Sequence, residues 1–526
     1  MRSVKILFVG CLLLVNSYML FADFSLRIAP VVEAPVGLSQ FGAGFGASAS
    51  LDWSVFSFLK IFEIGLSAGG GFSSIPVQTG DPLTLLEGRG GPILRARPFD
   101  RWTFQAGFYG GAYQYSRTGE NETKALYGGA LGAQFHLLPY LGIYAEGGYN
   151  HRVFSPQSPF SSLGINLGVS FNLTEIMGGR TRVQVEKTEQ FRVFPVSWAW
   201  YENNPVATIK ITNEEPNLIT DISFSFFMES YMSRPWVFAD NLQLASGESI
   251  EIPVTALFNE SMLGLTETVN ANGEIQVQYR SLGARKQSFY PIQMPIFHRN
   301  TLSWDDDRRA AAFVSPRDSA ARLFARYVAA AVDAREYPGN VPSNVRYAVA
   351  LFEALRLYGI SYVVVPATSF VTVSSDESVL DNVSYPYQAL YYRGGDCSYL
   401  SILFCSLLEA LNIESAFITI PGHIYVAFEV GDTTWRAGNA DIIELEMDGV
   451  KKRWLPVEIT VPEEGFTRAW RIGARQWRNS GNDAALYSIR DSWQVYPSVT
   501  VPASGDQLPI MPSRDEIIRA MERELR

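Results

Sequence analysis

Leu163-Gly164-Ile165-Asn166-Leu167-Gly168-Val169-Ser170-Phe171-Asn172-Leu173 puts a large apolar side chain at every odd position and Gly, Asn or Ser at every even one. Successive side chains of a strand point to opposite faces, so one face of this strand is greasy and the other small and polar. The same period runs through residues 41–53, where Phe41, Phe45, Leu51 and Trp53 alternate with Gly42, Gly46, Ser50 and Asp52, and through 127–137 and 141–149. Arg27, Asp52, Glu63 and Glu146 all fall on the small-residue face. A soluble sandwich buries its greasy face, whereas charge among small residues fits a narrow polar lumen inside a lipid-facing wall.

Eight strands are expected, near 24–32, 41–53, 61–72, 84–97, 101–115, 125–137, 141–152 and 162–173. Their connections alternate between tight ones, such as Pro98-Phe99-Asp100 and Leu138-Pro139-Tyr140, and longer polar ones such as 117–124. Residues 23–174 therefore read as an eight-stranded antiparallel membrane β-barrel, and the segment resembles the small eight-stranded outer-membrane barrels. Eight strands leave an interior filled by side chains, which argues against a wide pore. An even strand number returns the chain to the side on which it began, so everything after Leu173 is expected in the periplasm.

Residues 1–22, with Arg2 and Lys5, an apolar stretch and a small final Ala22, read as a secretory signal peptide. A lipoprotein cut before Cys11 would leave too short an apolar stretch. Of the three cysteines in the chain of 526 residues, Cys11 falls in that leader, leaving Cys397 and Cys405. On one helix their Cα atoms stand roughly 12 Å apart, beyond the roughly 7 Å limit for a disulfide, so both are expected as free thiols. The net charge of −10 with 18% charged residues offers no basic stripe, which excludes nucleic acid as a partner.

From 180 to 300 the chain alternates without helical signals, as in Ala207-Thr208-Ile209-Lys210-Ile211 and Ser249-Ile250-Glu251-Ile252, with turns expected at Ser246-Gly247-Glu248 and Asn272-Gly273. The spacing fits an immunoglobulin-like β-sandwich acting as spacer or binding module. Asp305-Asp306-Asp307 has no nearby histidine or cysteine and reads as a solvated boundary rather than a metal site. Helices are expected from the Ser315-Pro316-Arg317-Asp318 start to about Arg335, and from Ser343 to Tyr358, stopped by Gly359. Residues 305–480 thus read as an α+β domain and 481–526 as a C-terminal tail, with a short charged helix after Ser513 and an exposed end expected from about Ala503.

Within that domain, Gly395-Asp396-Cys397 opens an apolar helix carrying Leu400, Leu403, Phe404, Leu407, Leu408 and Leu411. A cysteine at a helix N-terminus gains from the positive end of the helix dipole, which favours the thiolate. His423, the only histidine after His298, starts the second strand of a hairpin turning at Pro421-Gly422 and can act as the base. An acid must orient its ring: Glu458, on the strand returning from Asp448-Gly449, is preferred, with Asp441 and Glu429 as alternatives. Cys405 has no such neighbours in sequence and reads as a buried, inert thiol.

Tyr385-Pro386-Tyr387-Gln388-Ala389-Leu390, Gly394-Gly395-Asp396-Cys397, Leu411-Asn412-Ile413-Glu414-Ser415-Ala416, Pro421-Gly422-His423 and Trp454-Leu455-Pro456-Val457-Glu458-Ile459-Thr460 together resemble the bacterial transglutaminase-like superfamily over about residues 310 to 475. The resemblance implies a papain-like core with Cys397 as nucleophile, His423 as base and Glu458 where the family more often has aspartate. By analogy Gln388 helps to hold the oxyanion. Ser398-Tyr399 stand where bacterial members often carry acidic residues.

The expected function is therefore an outer-membrane-anchored, periplasm-facing cysteine amide hydrolase or transamidase. Its partners would be outer-membrane lipid and a peptide, protein or peptidoglycan-stem substrate, and its chemistry needs no cofactor and no metal. The alternative is an inactive transglutaminase-like protein that links the outer membrane to a periplasmic partner.

Overall fold

All eight expected barrel strands are present in the computed structural model of the chain. It describes residues 23–526 apart from 59–60, 118–119, 154–159, 177–180, 337–339, 364–378, 433, 437, 448 and 502–509. The leader 1–22 with Cys11, and Asp448 of the expected hairpin turn, lie outside the described residues; the loop 117–124 does so in part.

The strands are β1 (Asp23–Pro35), β2 (Gly44–Phe58), β3 (Phe62–Ile75), β4 (Leu83–Phe99), β5 (Trp102–Arg117), β6 (Glu120–Leu138), β7 (Leu141–Arg152) and β8 (Phe160–Asn172). Each pairs antiparallel with the next, and β1 pairs with β8 from Ser25↔Asn172 to Pro35↔Ser162, closing the barrel. Closure removes both sheet edges, so every strand finds its backbone partners within the wall. The period-2 reading sets the sides: Leu163, Ile165 and Leu167 point outward, Leu167 being 67% exposed, while Arg27, Asp52 and Glu146 are buried within.

The interior charges are paired. Asp52 accepts from Arg95 Nη2 at 2.5 Å, Arg27 Nη2 at 3.3 Å and Ser67 Oγ at 2.6 Å. Glu146 takes Arg27 Nη1 at 2.7 Å, and Arg152 bridges Glu33 at 2.5 Å and Glu87 at 2.8 Å. At the end bearing the longer loops, Ile75, Leu83, Leu85, Tyr113, Leu126 and Phe160 form an apolar cluster that closes the lumen. Phe41 belongs to that plug rather than to β2: it packs edge-on to Phe160 at 5.3 Å and forms an isolated bridge with Val77.

The middle segment folds into two sheets. One contains β9 (Val183–Gln190), β10 (Ala207–Asn213) and β13 (Ser249–Val254); the other contains β11 (Ile219–Phe227), β12 (Trp236–Leu244), β14 (Val269–Ser281) and β15 (Ala284–Ile296). Ile209, Ile211 and Val254 of the first share one core with Phe224, Phe226, Val277 and Met294 of the second. The turn expected at Asn272-Gly273 is absent, because both residues lie inside β14. Gly273 is there for close packing: a Cβ would stand 2.7 Å from the Phe226 ring. The chain turns instead at Leu282 and Gly283, both with positive φ. Arg182 joins this unit to the barrel through Asp23 at 2.7 Å, and Lys286 does so through Glu175 at 3.0 Å.

The C-terminal part comprises α1 (Ser319–Asp333), α2 (Ser343–Tyr358), α3 (Pro386–Tyr392), α4 (Cys397–Ala410), β16 (Ser415–Ile420), β17 (His423–Glu429), β18 (Ile443–Met447), β19 (Val450–Val457), α5 (Phe466–Ser480), β20 (Ala485–Ser488) and α6 (Arg514–Leu525). The five strands make one sheet in the order β18-β19-β17-β16-β20, antiparallel at every pairing. Gly359 at φ 90° ends α2 as expected. The cap of α1 differs: Asp318, not Ser315, accepts from Ala321 N at 2.9 Å, while Ser315 N donates to Ser406 Oγ at 3.0 Å. The described residues of 481–526 pack onto this domain rather than forming a separate tail, the helix after Ser513 included. β20 pairs with β16 from Thr419↔Ala485 to Ala416↔Ser488, and Ile517, Ile518 and Met521, on one face of α6, are buried in the same core as Phe324, Val328 and Leu351.

Candidate active site

Cys397 is the first residue of α4, behind Asp396 as N-cap: Asp396 Oδ1 accepts from Tyr399 N at 3.0 Å and from Ser398 Oγ at 2.7 Å. The apolar run that follows buries the helix on nearly every side, so its N-terminus is held firmly against the sheet. His423 opens β17 after Gly422, whose φ of 74° makes the tight hairpin turn with β16. Helix and strand meet here: the backbone N–H of Ile424 is near enough to the Cys397 sulfur to favour its thiolate, and Ser401 Oγ stands 3.5 Å from Ile424 O. The structure therefore brings Cys397 to the residue that follows His423.

Glu458 lies just beyond β19 and is 2% exposed. Its Oε2 is 2.7 Å from His423 Nε2, and its Oε1 accepts from Thr460 N at 3.1 Å and Thr460 Oγ1 at 2.6 Å. Both carboxylate oxygens are thus held, and the imidazole is fixed through Nε2 with Nδ1 as its remaining nitrogen. Tyr425 shares the strand face with His423 and stacks on it at 5.7 Å and 17°. Helix α5 lies directly over the acid: Glu458 N donates to Ala469 O at 3.1 Å, and a Cβ on Gly473 would stand 3.2 Å from Glu458 N.

The alternative acids are engaged elsewhere. Asp441 binds Arg478 at 2.5 Å, and Glu429, at the far end of β17, faces Asn344 at 3.5 Å. Gln388 sits on α3, where its Oε1 accepts from Tyr385 N at 2.9 Å and Asn300 Nδ2 at 2.8 Å. Those bonds tie α3 to its own N-cap and to the distant Asn300, and leave the Gln388 amide nitrogen as the group with donor capacity. Cys405 is fully buried, 4.0 Å from Ala416 O, and burial pushes its thiol well above the ordinary value. Asp306, from the acidic triplet, caps a short helix and pairs with Arg308 at 2.7 Å.

The electrostatics sharpen the division of labour. Burial alone would raise the Glu458 carboxyl, but the hydrogen bond and charge of His423, with the Thr460 bonds, hold it below the ordinary carboxylate value. The Cys397 thiol is pushed up to about 12, first by burial and then by the negative charges of Asp396 and Glu458, against the opposing N–H groups of Ile424 and Ser398. Burial and two carboxylates thus outweigh the helix end, which was expected to favour the thiolate.

Three neighbours escaped the sequence reading. Asp396 was visible as a capping residue three positions before the Tyr399 N–H it receives. Tyr425 was visible as the same-face neighbour two residues after His423, and Thr460 as the hydroxyl residue two positions beyond Glu458.

No protein-family model matches the chain, and no curated protein matches it. Solved structures similar to part of it include Neisserial surface protein A, 12% identical over 29% of this chain and 96% of that one at a TM-score of 0.22. The attachment invasion locus protein Ail of Yersinia pestis is 13% identical over 28% and 97% at 0.19. The N-terminal β-barrel domain of Pseudomonas aeruginosa OprF is 13% identical over 29% and 99% at 0.18. The N-terminal eight-stranded closed barrel resembles these outer-membrane barrels; the likeness bears on the barrel fold alone.

Proposed function

We propose that the chain is an outer-membrane-anchored, periplasm-facing cysteine enzyme of the transglutaminase-like kind, with an immunoglobulin-like sandwich between anchor and catalytic domain. It would hydrolyse or transfer amide bonds of peptides, proteins or cell-wall stems. The observation that carries this reading is the His423–Glu458 contact of 2.7 Å beside a cysteine at a helix N-terminus. A lipid anchor is supported by the outward apolar wall and the paired interior charges of the barrel. The domains after β8 leave from the end with the short turns, the periplasmic end in such barrels.

In the proposed reaction the Cys397 thiol proton passes to His423 Nδ1 as the sulfur attacks the amide carbonyl. Glu458 stabilises the imidazolium through Nε2, and N–H groups at the start of α4, with Gln388, receive the oxyanion. The tetrahedral intermediate collapses as the imidazolium returns that proton to the leaving amine, giving an acyl-thioester on Cys397. Water then yields an acid, or a second amine yields a new amide, and the thiol is restored.

Alkylation of the detergent-solubilised full chain by iodoacetamide near neutral pH tests the pairing. Cys397 is expected to react at least about tenfold faster in the parent than in His423→Ala. Equal, slow labelling of Cys397 and Cys405 in both proteins would instead support the inactive, linking reading.

A further inference from the structure

We propose that Asp396 is a positioning residue for Cys397 with two separable roles: Oδ1 caps the cysteine helix, and Oδ2 sets the charge against which the thiolate must form. Oδ1 is fully engaged, by Tyr399 N at 3.0 Å and Ser398 Oγ at 2.7 Å. Oδ2 is buried and has no hydrogen-bond partner among the described residues, in a side chain only 3% exposed. A capping role uses one oxygen and explains nothing about the second. A buried carboxylate oxygen without a protein partner either holds a proton or acts strongly on its neighbours.

The groups facing it are few. Asp381, 2% exposed, comes from the two-residue strand Asp381–Asn382, where its Oδ2 takes Trp304 Nε1 at 2.9 Å and its Oδ1 takes Asn382 N at 2.7 Å. Tyr399 comes from α4 itself, its hydroxyl bonded to Asn382 O. Tyr362 comes from the segment Ser361–Tyr362, which pairs parallel with Gly394–Gly395, and it feels Cys397, Asp396 and Glu458 together. Beyond Cys397 stand Glu458 and His423. Among the described residues no lysine or arginine is hydrogen-bonded to Asp396 or Asp381, and both carboxyls sit above their ordinary value, Asp381 at about 6. With no such cation holding it, an ionised Asp396 opposes the Cys397 thiolate, while a protonated one does not.

This inference rests on Cys397 being the nucleophile. The experiment is the rate of iodoacetamide alkylation at Cys397 between pH 5 and 9, with thermal midpoints, for the parent, Asp396→Asn and Asp396→Ser in the full chain, beside His423→Ala. Asn and Ser both keep a capping oxygen and remove the charge. The expected result is an unchanged midpoint with alkylation at pH 7 faster by about tenfold, one unit of titration. Should Asp396→Asn fail to fold, Asp396→Ser gives the same readout. Unchanged or slower alkylation in a folded uncharged variant overturns the role of Oδ2, even where His423→Ala is slowed. Faster alkylation in the uncharged variants with no effect of His423→Ala upholds it and removes His423 as the base instead.

Discussion

Glu458→Ala is expected to slow acylation of Cys397 on the order of a hundred- to ten-thousand-fold. The carboxylate is the partner given to His423 Nε2, at 2.7 Å, and it is locked by two bonds from Thr460. Without it the ring loses both its orientation and the counter-charge for the imidazolium that forms on taking the thiol proton. That loss is severe here because the thiol, pushed up to about 12, has no standing thiolate to fall back on. Glu458→Gln, which keeps a hydrogen-bonding group without the charge, should fall between the two. Stability carries a second signature. Glu458 has its folded value below the unfolded one, so its contribution is complete above the unfolded carboxyl range near about pH 4.3. It is lost as pH falls through the lower folded value. Parent and Glu458→Gln unfolding curves should therefore separate at neutral pH and converge in acid. An acylation rate for Glu458→Ala within about threefold of the parent, read with an activated ester, would remove Glu458 from the site.

Asp52→Ala is expected to destabilise the barrel by about 3–5 kcal/mol, the usual result of stripping one partner from a buried ion cluster. Asp52 is 0% exposed and holds Arg95 at 2.5 Å and Arg27 at 3.3 Å. After its removal Arg27 keeps Glu146 at 2.7 Å, whereas among the described residues the side-chain hydrogen bond left to Arg95 is Ser54 Oγ at 3.2 Å. Urea unfolding of the refolded protein in lipid vesicles, followed by tryptophan fluorescence and gel mobility, reads the loss. A change below about 1 kcal/mol would mean that lumen water screens these charges as it does surface pairs.

The barrel was legible because its wall is inverted: apolar residues outside and charges inside sharpen the two-residue period that a half-buried soluble sheet blurs. That same clarity misplaced Phe41, which keeps the period but belongs to the plug. At the site, Cys397 and His423 could be named because each has a distinctive local frame: helix start and hairpin turn. The acid could only be ranked, with Glu458 ahead of Asp441 and Glu429, since the three differ in where the sheet carries them. Long-range packing hid the rest. Gly273 looks like a turn residue but makes room for Phe226, and the polar face of α6 masks Ile517, Ile518 and Met521. The height of the Cys397 thiol was equally hidden, because it depends first on burial, which the sequence does not show, then on Asp396 beside it, with Glu458 adding to both.

The most direct test of the central claim, that Cys397 attacks carbonyl carbon with His423 as its base, is a pre-steady-state burst with p-nitrophenyl acetate. The detergent-solubilised full chain should release one equivalent of p-nitrophenolate and carry the acetyl group on Cys397 by peptide mapping. The burst should vanish in Cys397→Ser, collapse in His423→Ala and survive in Cys405→Ser. No burst above the Cys397→Ser background, or acetyl shared equally with Cys405, would contradict the account.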